Sequence, residues 1–268
     1  MESGIKDASE TSINLAIFFQ SLARARQKAL LLDYDGTLAP FDVDPAKALP
    51  YPGVREHLDA IMQDTTTRVV IISGRATKDL LPLLPLRRIP EVWGSHGWEQ
   101  IATDGRHRMP EPDPATSRQL IETAAWAEQI KTVGGRIESK PAGIAIHWRG
   151  LTPEQITEIC RLVVEHWTAE GLHRYLTWRD FDGGIELHAP GRHKGDVVNT
   201  ILKEMGGAVA AYLGDDFTDE DAFRAIKGHG LGILVRKSYR PTAAELWLRP
   251  PEELLDFLDR WQRASDQR

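Results

Sequence analysis

Four short apolar runs constrain this chain more than any other feature of it. Ala29–Asp33 (ALLLD), Arg68–Ser73 (RVVIIS), Val209–Gly214 and Leu231–Val235 are too short for core helices and carry no charge in their interiors. A strand that is apolar at every position must be covered on both faces, which is the condition of a parallel sheet with helices on each side. Helical spacing falls where such a sheet needs it. Pro52–Gln63 sets Val54, Leu58 and Ile61 on one stripe, and Lys78–Leu84 reads as helical. Asp219–Ile226 lies between the last two runs, and Glu252–Trp261 is a closing amphipathic helix. Val92–Gly94 and Trp98–Ala102 read as short strands, with Asp104-Gly105 as a turn. This rhythm predicts an α/β fold with a doubly wound parallel sheet.

The middle of the chain follows a different rule. Thr116–Val133 is a long helix ended by Gly134-Gly135, after which Arg136–Lys140 and Ile144–Arg149 alternate apolar with polar, as half-buried antiparallel strands do. Thr152-Pro153-Glu154-Gln155 spells a capping box with proline at the first helical position. The helix it opens runs to about Glu170 and should bury Ile156, Ile159, Val163 and Trp167. Tyr175–Arg179 and Ile185–Ala189 complete an α-β-β-α-β-β unit. Ser73 and Lys194 stand 121 positions apart, whereas one crossover takes roughly 30 residues, so the remainder is domain-sized. The expected division is a core of 1–111 and 188–268 with an inserted α+β domain of 112–187.

Composition excludes several classes. Of 268 residues, 33 are Lys or Arg and 39 Asp or Glu, a net charge of −6 that speaks against a nucleic-acid partner. The hydrophobic share of 41% is too high for a disordered chain. The single cysteine, Cys160, cannot form an internal disulfide. No apolar run approaches the roughly 18 residues of a membrane span. The opening segment, with Glu2, Asp7 and Glu10 ahead of the short stretch Ile13–Phe19, lacks the layout of a signal peptide. A cytoplasmic monomer without nucleic-acid or membrane partners is expected.

Chemistry concentrates at the strand ends, where ligands bind in open α/β sheets. Asp33-Tyr34-Asp35-Gly36-Thr37 follows the first run. Two acids at that spacing can place one carboxylate on a metal and the other beside a leaving group. An isolated D-x-D-G is better explained by an Asp-Gly turn with solvated acids, and the nucleotide-sugar metal site of a glycosyltransferase is a further alternative. The third run ends in Gly214 and leads into Asp215, Asp216, Asp219, Glu220 and Asp221, five acids in seven residues. Packed acids repel unless a cation such as Mg²⁺ joins them. Asp219, Glu220 and Asp221 also suit a helix N-terminus, whereas Asp215 and Asp216 precede the helix. Ser73-Gly74-Arg75 offers a hydroxyl, a close backbone approach and a guanidinium, all fit for phosphate. Lys194-Gly195 puts a cation before the helix Asp196–Lys203.

In combination and in this order, these elements resemble the haloacid dehalogenase superfamily. LLLDYDGTLAP, VVIISGR, GSHGWE, GRHKG and YLGDDFTDED resemble its trehalose-6-phosphate phosphatase family, over about residues 29–260. The resemblance implies hydrolysis of trehalose 6-phosphate to trehalose and phosphate on a haloacid dehalogenase-like core with a cap domain. It implies Asp33 as the nucleophile that becomes an aspartyl-phosphate and Asp35 as general acid and then base. It further implies Mg²⁺ held by Asp33, the Asp35 carbonyl and Asp215, with Asp216 or Asp219 in support. Ser73 and Lys194 would hold the phosphoryl oxygens, beside Gly36, Thr37, Gly74 and Arg75. Two neighbouring activities share the same motifs, hydrolysis of mannosyl-3-phosphoglycerate and of glucosylglycerol phosphate. A silent sugar-phosphate-binding module is the alternative outside enzymes.

Residues two apart on a strand share a face. In the insert this separates Glu138 and Lys140 from Ile137, His147 and Arg149 from Ile144, Ile146 and Trp148, and Glu186 and His188 from Ile185 and Leu187. One face should pack on the helices and the other, Glu186 included, should be exposed. That polar face is either solvated or, over a cleft, a reader of sugar hydroxyls. The resemblance assigns Glu138, Lys140, His147, Arg149 and Glu186 to substrate. His96-Gly97 matches the family too, with core packing and substrate contact both open. Trp126, Trp167 and Trp261 lie at helical spacing and are expected in cores.

Overall fold

The computed structural model describes residues 8–266, with side chains from residue 15 onward. Glu2, Asp7 and the outermost ends of the expected core segments lie outside the described residues. The first stretch comprises α1 (Ala8–Arg24), β1 (Lys28–Leu32), α2 (Val54–Ile61), β2 (Thr67–Ile72), α3 (Thr77–Leu80), β3 (Glu91–Gly94), β4 (Glu99–Ile101) and β5 (His107–Arg108). The insert follows as α4 (Pro114–Ala127), β6 (Arg136–Lys140), β7 (Gly143–His147), α5 (Pro153–Ala169), β8 (Thr177–Phe181) and β9 (Gly184–His188). The chain then returns through α6 (Lys194–Glu204), β10 (Val209–Gly214), α7 (Glu220–Ile226), β11 (Gly230–Val235), β12 (Leu246–Leu248) and α8 (Glu252–Asp266).

Eight strands form one sheet in the order β12-β11-β10-β1-β2-β3-β4-β5. It is parallel from β12 to β3 and antiparallel at β4 and β5. The pleat divides each central strand between two cores. Leu30 and Leu32, Val69 and Ile71, and Ala211 and Leu213 face α2 and α8. Ala29 and Leu31, Val70 and Ile72, and Ala210 and Tyr212 face α6 and α7. This double burial is what the uninterrupted apolar runs demand. From β1 the chain proceeds to β2 and β3 on one side and returns to β10 and β11 on the other. The crevice at this reversal opens at the carboxyl ends of β1, β2 and β10.

The insert builds a four-stranded antiparallel sheet, β6-β7-β9-β8. Ile144, Ile146, Ile185 and Leu187 pack on Ile130, Ile159 and Val163 in a core of their own. The capping box of Thr152 and Gln155 is present. Several expected boundaries move for local reasons. The helix expected over Thr116–Val133 is α-helical only to Ala127 and tightens into a 3₁₀ turn over Glu128–Val133. The strand expected at Tyr175 starts at Thr177, because the Tyr175 and Leu176 N–H groups bond back to the Leu172 carbonyl. α6 begins at Lys194 rather than Asp196, with the Asp196 carboxylate bonding the His193 N–H. Ile156 and Trp167 are only half-buried. α1 and β12 were not foreseen. α1 packs Phe18 and Phe19 against Phe257 and Trp261 of α8, and Trp261 is fully buried. No described helix is long and apolar enough to cross a membrane.

A charged pair anchors the sheet at the end remote from the crevice. Lys28 is wholly buried at the start of β1, its Nζ donating to Asp64 Oδ2 at 3.1 Å and to Thr66 Oγ1 at 3.2 Å. Burial pushes the Asp64 carboxyl up, but the Thr66 amide, both threonine hydroxyls and Lys28 hold it well below the usual range. Asp64→Asn strands a buried ammonium and should cost about 3 kcal/mol, read as a lower denaturation midpoint with substrate turnover unchanged. Because the folded-state value is depressed, the pair's contribution is complete above the unfolded carboxylate value near ~3.9. It is lost as pH falls through the folded one, so the variant and the parent should converge in strong acid.

Candidate active site

The strand ends bring the expected acids together. Asp33 continues β1, its N–H donating to Leu213 O at 2.8 Å, and Asp215 continues β10 beside it. Gly36 is required at the next turn. Its φ of +80° suits glycine, and a Cβ there would lie 2.1 Å from Asp215 Oδ2. Thr37 Oγ1 donates to Asp33 Oδ2 at 3.2 Å. Lys194, the first residue of α6, is buried and donates from Nζ to Asp33 Oδ1 at 2.6 Å and Asp219 Oδ1 at 2.8 Å. Asp219 also accepts from the N–H groups of Asp215 and Asp216 and from the Tyr212 hydroxyl.

Oxygens of Asp33, Asp215 and Asp219 lie within 4.8 Å of one another, all three residues buried. Burial raises the Asp33 carboxyl, Lys194 pulls it back and Asp219 raises it again, leaving it at about 7. Burial also holds Asp215 well above the usual range, reinforced by Asp33, Asp219 and Asp216. Asp219 is held low, because Lys194 and its hydrogen bonds outweigh burial. Lys194 is pushed up despite burial by its two acids. One ammonium therefore serves three converging acids, and among the described residues no donor bonds the Asp215 carboxylate. An anionic, all-oxygen set with a free carboxylate fits a hard divalent cation, whose charge would reverse the upward shifts.

Some expected residues have other occupations. Asp216 is not in the acid cluster: its Oδ1 accepts from the Phe217 N–H and its Oδ2 from the Asp182 N–H, each at 2.8 Å. The Asp35 side chain is also outside it. Arg75, read from the sequence as a phosphate ligand, grips both Asp35 oxygens at 2.6 Å and donates to Pro45 O at 2.8 Å. Ser73, buried at the end of β2, accepts the Arg75 N–H at 3.1 Å. Gly74 leaves room for the His96 ring, which a Cβ would approach to 2.7 Å.

The polar face of the four-stranded sheet closes over this crevice, with a cleft of about 820 Å³ between them. Asp33, Ser73, Arg75, His96 and Lys194 line it from the core, and Glu138, Lys140, His147, Arg149 and Glu186 line it from the insert. Glu186 is not exposed as expected. It is 3% exposed, with Oε2 at 2.9 Å from both Lys140 Nζ and His96 Nε2. A side chain that faces away from the insert's own apolar core is here buried against His96. Burial would raise the Glu186 carboxyl, but Lys140 and His96 hold it well below the usual range. His147 donates to Glu138 at 2.8 Å. Burial would raise Glu138 too, but this bond and Lys140 bring it to about 2. The Arg149 guanidinium lies 4.0 Å from the centroid of the Phe41 ring. His188 uses Nδ1 on the Ala189 carbonyl at 2.9 Å.

His96 ties the core to the insert. Ser95 and His96 have φ of +48° and +56°, the only positive values among described residues other than glycine. The Ser95 hydroxyl is held by Glu99 at 2.5 Å. Facing an ionised Glu186, His96 Nε2 must carry the proton of a neutral ring. Burial lowers the imidazole to about 4 against the pull of Glu186. The unfolded chain takes up this proton near pH 6.5 and the folded chain only near 4, so stability falls as pH falls across that window. The loss should reach about 3 kcal/mol. His96→Gln should flatten that part of the profile, as denaturant titrations at pH 7, 5.5 and 4.5 would show.

Sequence reasoning missed Asp182, Tyr212, Arg236 and Arg240. Tyr212 had a signal: one hydroxyl in a wholly buried strand requires a partner. The two arginines lie in a loop without periodicity. Arg240 donates to the Asp216 carbonyl at 2.6 Å, to the Asp215 carbonyl at 3.3 Å and to Glu220 at 2.6 Å, behind the acid loop.

The family model of trehalose-phosphatase matches residues 31–251. The chain belongs to the trehalose-phosphatase family. The match runs from the strand before Asp33 to the start of α8 and includes the whole insert. Trehalose-phosphate phosphatases of Mycobacterium tuberculosis and Mycobacterium leprae are 35% and 33% identical to it, each over 89% of this chain. The chain spans 62% and 58% of the length of these relatives. Aspergillus fumigatus trehalose-6-phosphate phosphatase superposes with a TM-score of 0.64 at 26% identity, covering 95% of this chain and 98% of that one. The C-terminal domain of C. albicans trehalose-6-phosphate phosphatase reaches 0.76 at 21% identity, covering 93% and 97%. A haloacid dehalogenase-like hydrolase from B. subtilis reaches 0.62 at 13%, covering 87% and 99%. This chain thus shares the doubly wound α/β fold of that haloacid dehalogenase-like hydrolase.

Proposed function

We propose that this protein hydrolyses trehalose 6-phosphate to trehalose and phosphate, with Mg²⁺ bound at Asp33 and Asp215, Asp219 in support, and residues 112–187 acting as a cap. The observation that carries the reading is the buried Asp33 carboxylate, held by Lys194 and Thr37 at a strand end and facing a polar sheet across the cleft. A bound Mg²⁺, with the Asp35 carbonyl as a further ligand, would neutralise phosphoryl charge as it develops.

Asp33 attacks phosphorus and takes the phosphoryl group, breaking the bond to the sugar oxygen. Lys194 and Ser73 stabilise the non-bridging oxygens. Asp35 delivers a proton to the departing sugar oxygen and recovers one from the water that cleaves the aspartyl-phosphate. One of its two bonds to Arg75 has to open for it to carry that proton. Glu138, Lys140, His147, Arg149 and Glu186 read the sugar hydroxyls from the cap. A cytoplasmic monomer acting on a small soluble substrate completes the reading.

The test is a phosphate-release panel of trehalose 6-phosphate, glucose 6-phosphate, mannosyl-3-phosphoglycerate, glucosylglycerol phosphate and an aryl phosphate, in EDTA and in Mg²⁺. Trehalose 6-phosphate should exceed glucose 6-phosphate by about tenfold or more in kcat/KM, the worth of one charged hydrogen bond. EDTA should silence every substrate. Preference for another glycosyl phosphate would overturn the substrate, and full activity in EDTA would overturn the cation.

A further inference from the structure

The turn between β8 and β9 reaches out of the cap to the acid loop of the core. The Asp182 N–H donates to Asp216 Oδ2 at 2.8 Å, and Asp182 Oδ2 accepts from Arg236 Nη2 at 3.2 Å. The second nitrogen of the same guanidinium faces the Asp215 carbonyl at 3.4 Å. On its other side the Asp182 carbonyl accepts from Arg149, whose guanidinium covers Phe41 at the cleft wall. A continuous chain of polar contacts thus runs from a cap arginine to the peptide that aims Asp215. Asp216 shares its two oxygens between that turn and the Phe217 N–H, so withdrawing the cap strips one of its partners. Arg240 fixes the Asp215 and Asp216 carbonyls from the core side. The loop is therefore held by the core alone when the cap is away, and by both when the cap is down.

We propose that Asp182 is a positioning residue that couples cap docking on the sugar to the geometry of the cation loop, so that sugar and cation bind cooperatively. This rests on the cap and cation roles proposed above. A sugar that fixes Arg149 steadies the Asp182 turn and with it Asp216 and the Asp215 carbonyl. A cation that orders the acid loop presents Asp216 and the Asp215 carbonyl to the turn. The coupling is reciprocal, each ligand tightening the other by the same factor, for which about 5- to 20-fold is a usual size.

Calorimetric titration of Mg²⁺ into the intact protein, with and without saturating trehalose, reads the factor directly. Amide exchange at Asp182, with and without Mg²⁺ and in the absence of sugar, reads the contact itself. In the parent, trehalose should tighten Mg²⁺ by about 5- to 20-fold, and Mg²⁺ alone should slow exchange at Asp182. In Asp182→Ala and Arg236→Ala the tightening should fall below about twofold, while Arg236→Lys should retain part of it. Unchanged tightening in Asp182→Ala would overturn the proposal. So would an equal loss in Arg179→Ala, which removes a clasp from β8 to Asp221 at 2.9 Å away from the acid loop. If trehalose does not bind the parent at all, the substrate reading fails. The coupling then stands or falls on the protection of Asp182 by Mg²⁺ alone.

Discussion

Asp33→Asn should lower phosphate release by at least about 10⁴-fold, the scale seen when a nucleophile is deleted from a covalent mechanism, and should leave the protein folded. The carboxamide keeps the size of the side chain: its oxygen can still accept from Lys194, which bonds Asp33 Oδ1 at 2.6 Å, and its NH2 can donate to the Thr37 hydroxyl, which now donates to Oδ2 at 3.2 Å and can turn to accept. It cannot form the acyl phosphate. The fold loses little because Lys194 retains Asp219 at 2.8 Å. Removing one acid from a group whose oxygens lie within 4.8 Å also relieves repulsion. Thermal denaturation in EDTA should therefore show a midpoint no lower than the parent's, beside a silent phosphate assay. Measurable turnover would remove the covalent route. A collapsed midpoint would make Asp33 a structural residue.

The core was legible because its burial is absolute. A strand covered on both faces has no freedom to be polar anywhere, so the runs at 29, 68, 209 and 231 identify themselves. The acids at their ends follow from the same geometry, since a buried parallel strand meets solvent only at its tip. Asp33, Ser73 and Asp215 were placed on that ground, and the structure puts them at those tips. The parity argument in the insert also separates Ile146 from His147 as the structure does, with Ile146 fully buried. What parity cannot convey is what lies opposite. Glu186 is on the face predicted for it, yet the core's His96 covers it. Arg75 carries the chemistry of a phosphate ligand, yet it spends its fork on Asp35, a partner 40 positions away. Asp216 stands next to Asp215 in sequence, but alternation at the strand end turns it toward Asp182 in the insert. Each of these departures is a contact between the insert and the rest of the chain or between separate loops. Such contacts depend on tertiary approach, on which local spacing is silent.

Glu186→Ala should be costly in two separable ways. On sequence grounds its loss would affect recognition alone, but its burial changes that expectation. Lys140, with a side chain 6% exposed, donates to Glu186 at 2.9 Å, and truncation leaves this ammonium without its nearest anion. Breaking a buried pair from one side costs about 3–5 kcal/mol, so Glu186→Ala should unfold at markedly lower denaturant than the parent. The pair's contribution is present above the unfolded glutamate value near ~4.3. It disappears as pH falls through the depressed folded value, so the gap between variant and parent should narrow in acid. Glu186→Gln isolates the second effect. Its amide oxygen still accepts from Lys140 and its volume is unchanged, so stability should drop by only about 1–2 kcal/mol. The charged hydrogen bond to a sugar hydroxyl is nevertheless lost, worth about 1.5–3 kcal/mol, or roughly tenfold to a hundredfold in kcat/KM for trehalose 6-phosphate. Hydrolysis of an aryl phosphate, which has no hydroxyls to read, should remain near the parent's at a temperature where the variant is folded. Ile146→Ala, a substitution in the cap's apolar core, should cost stability without this substrate selectivity. Equal losses of Glu186→Gln on both substrates would place Glu186 with the phosphoryl chemistry. No loss on either would reduce the Lys140–Glu186–His96 cluster to a clasp between cap and core, and the sugar would then have to be read by Glu138, His147 and Arg149 alone.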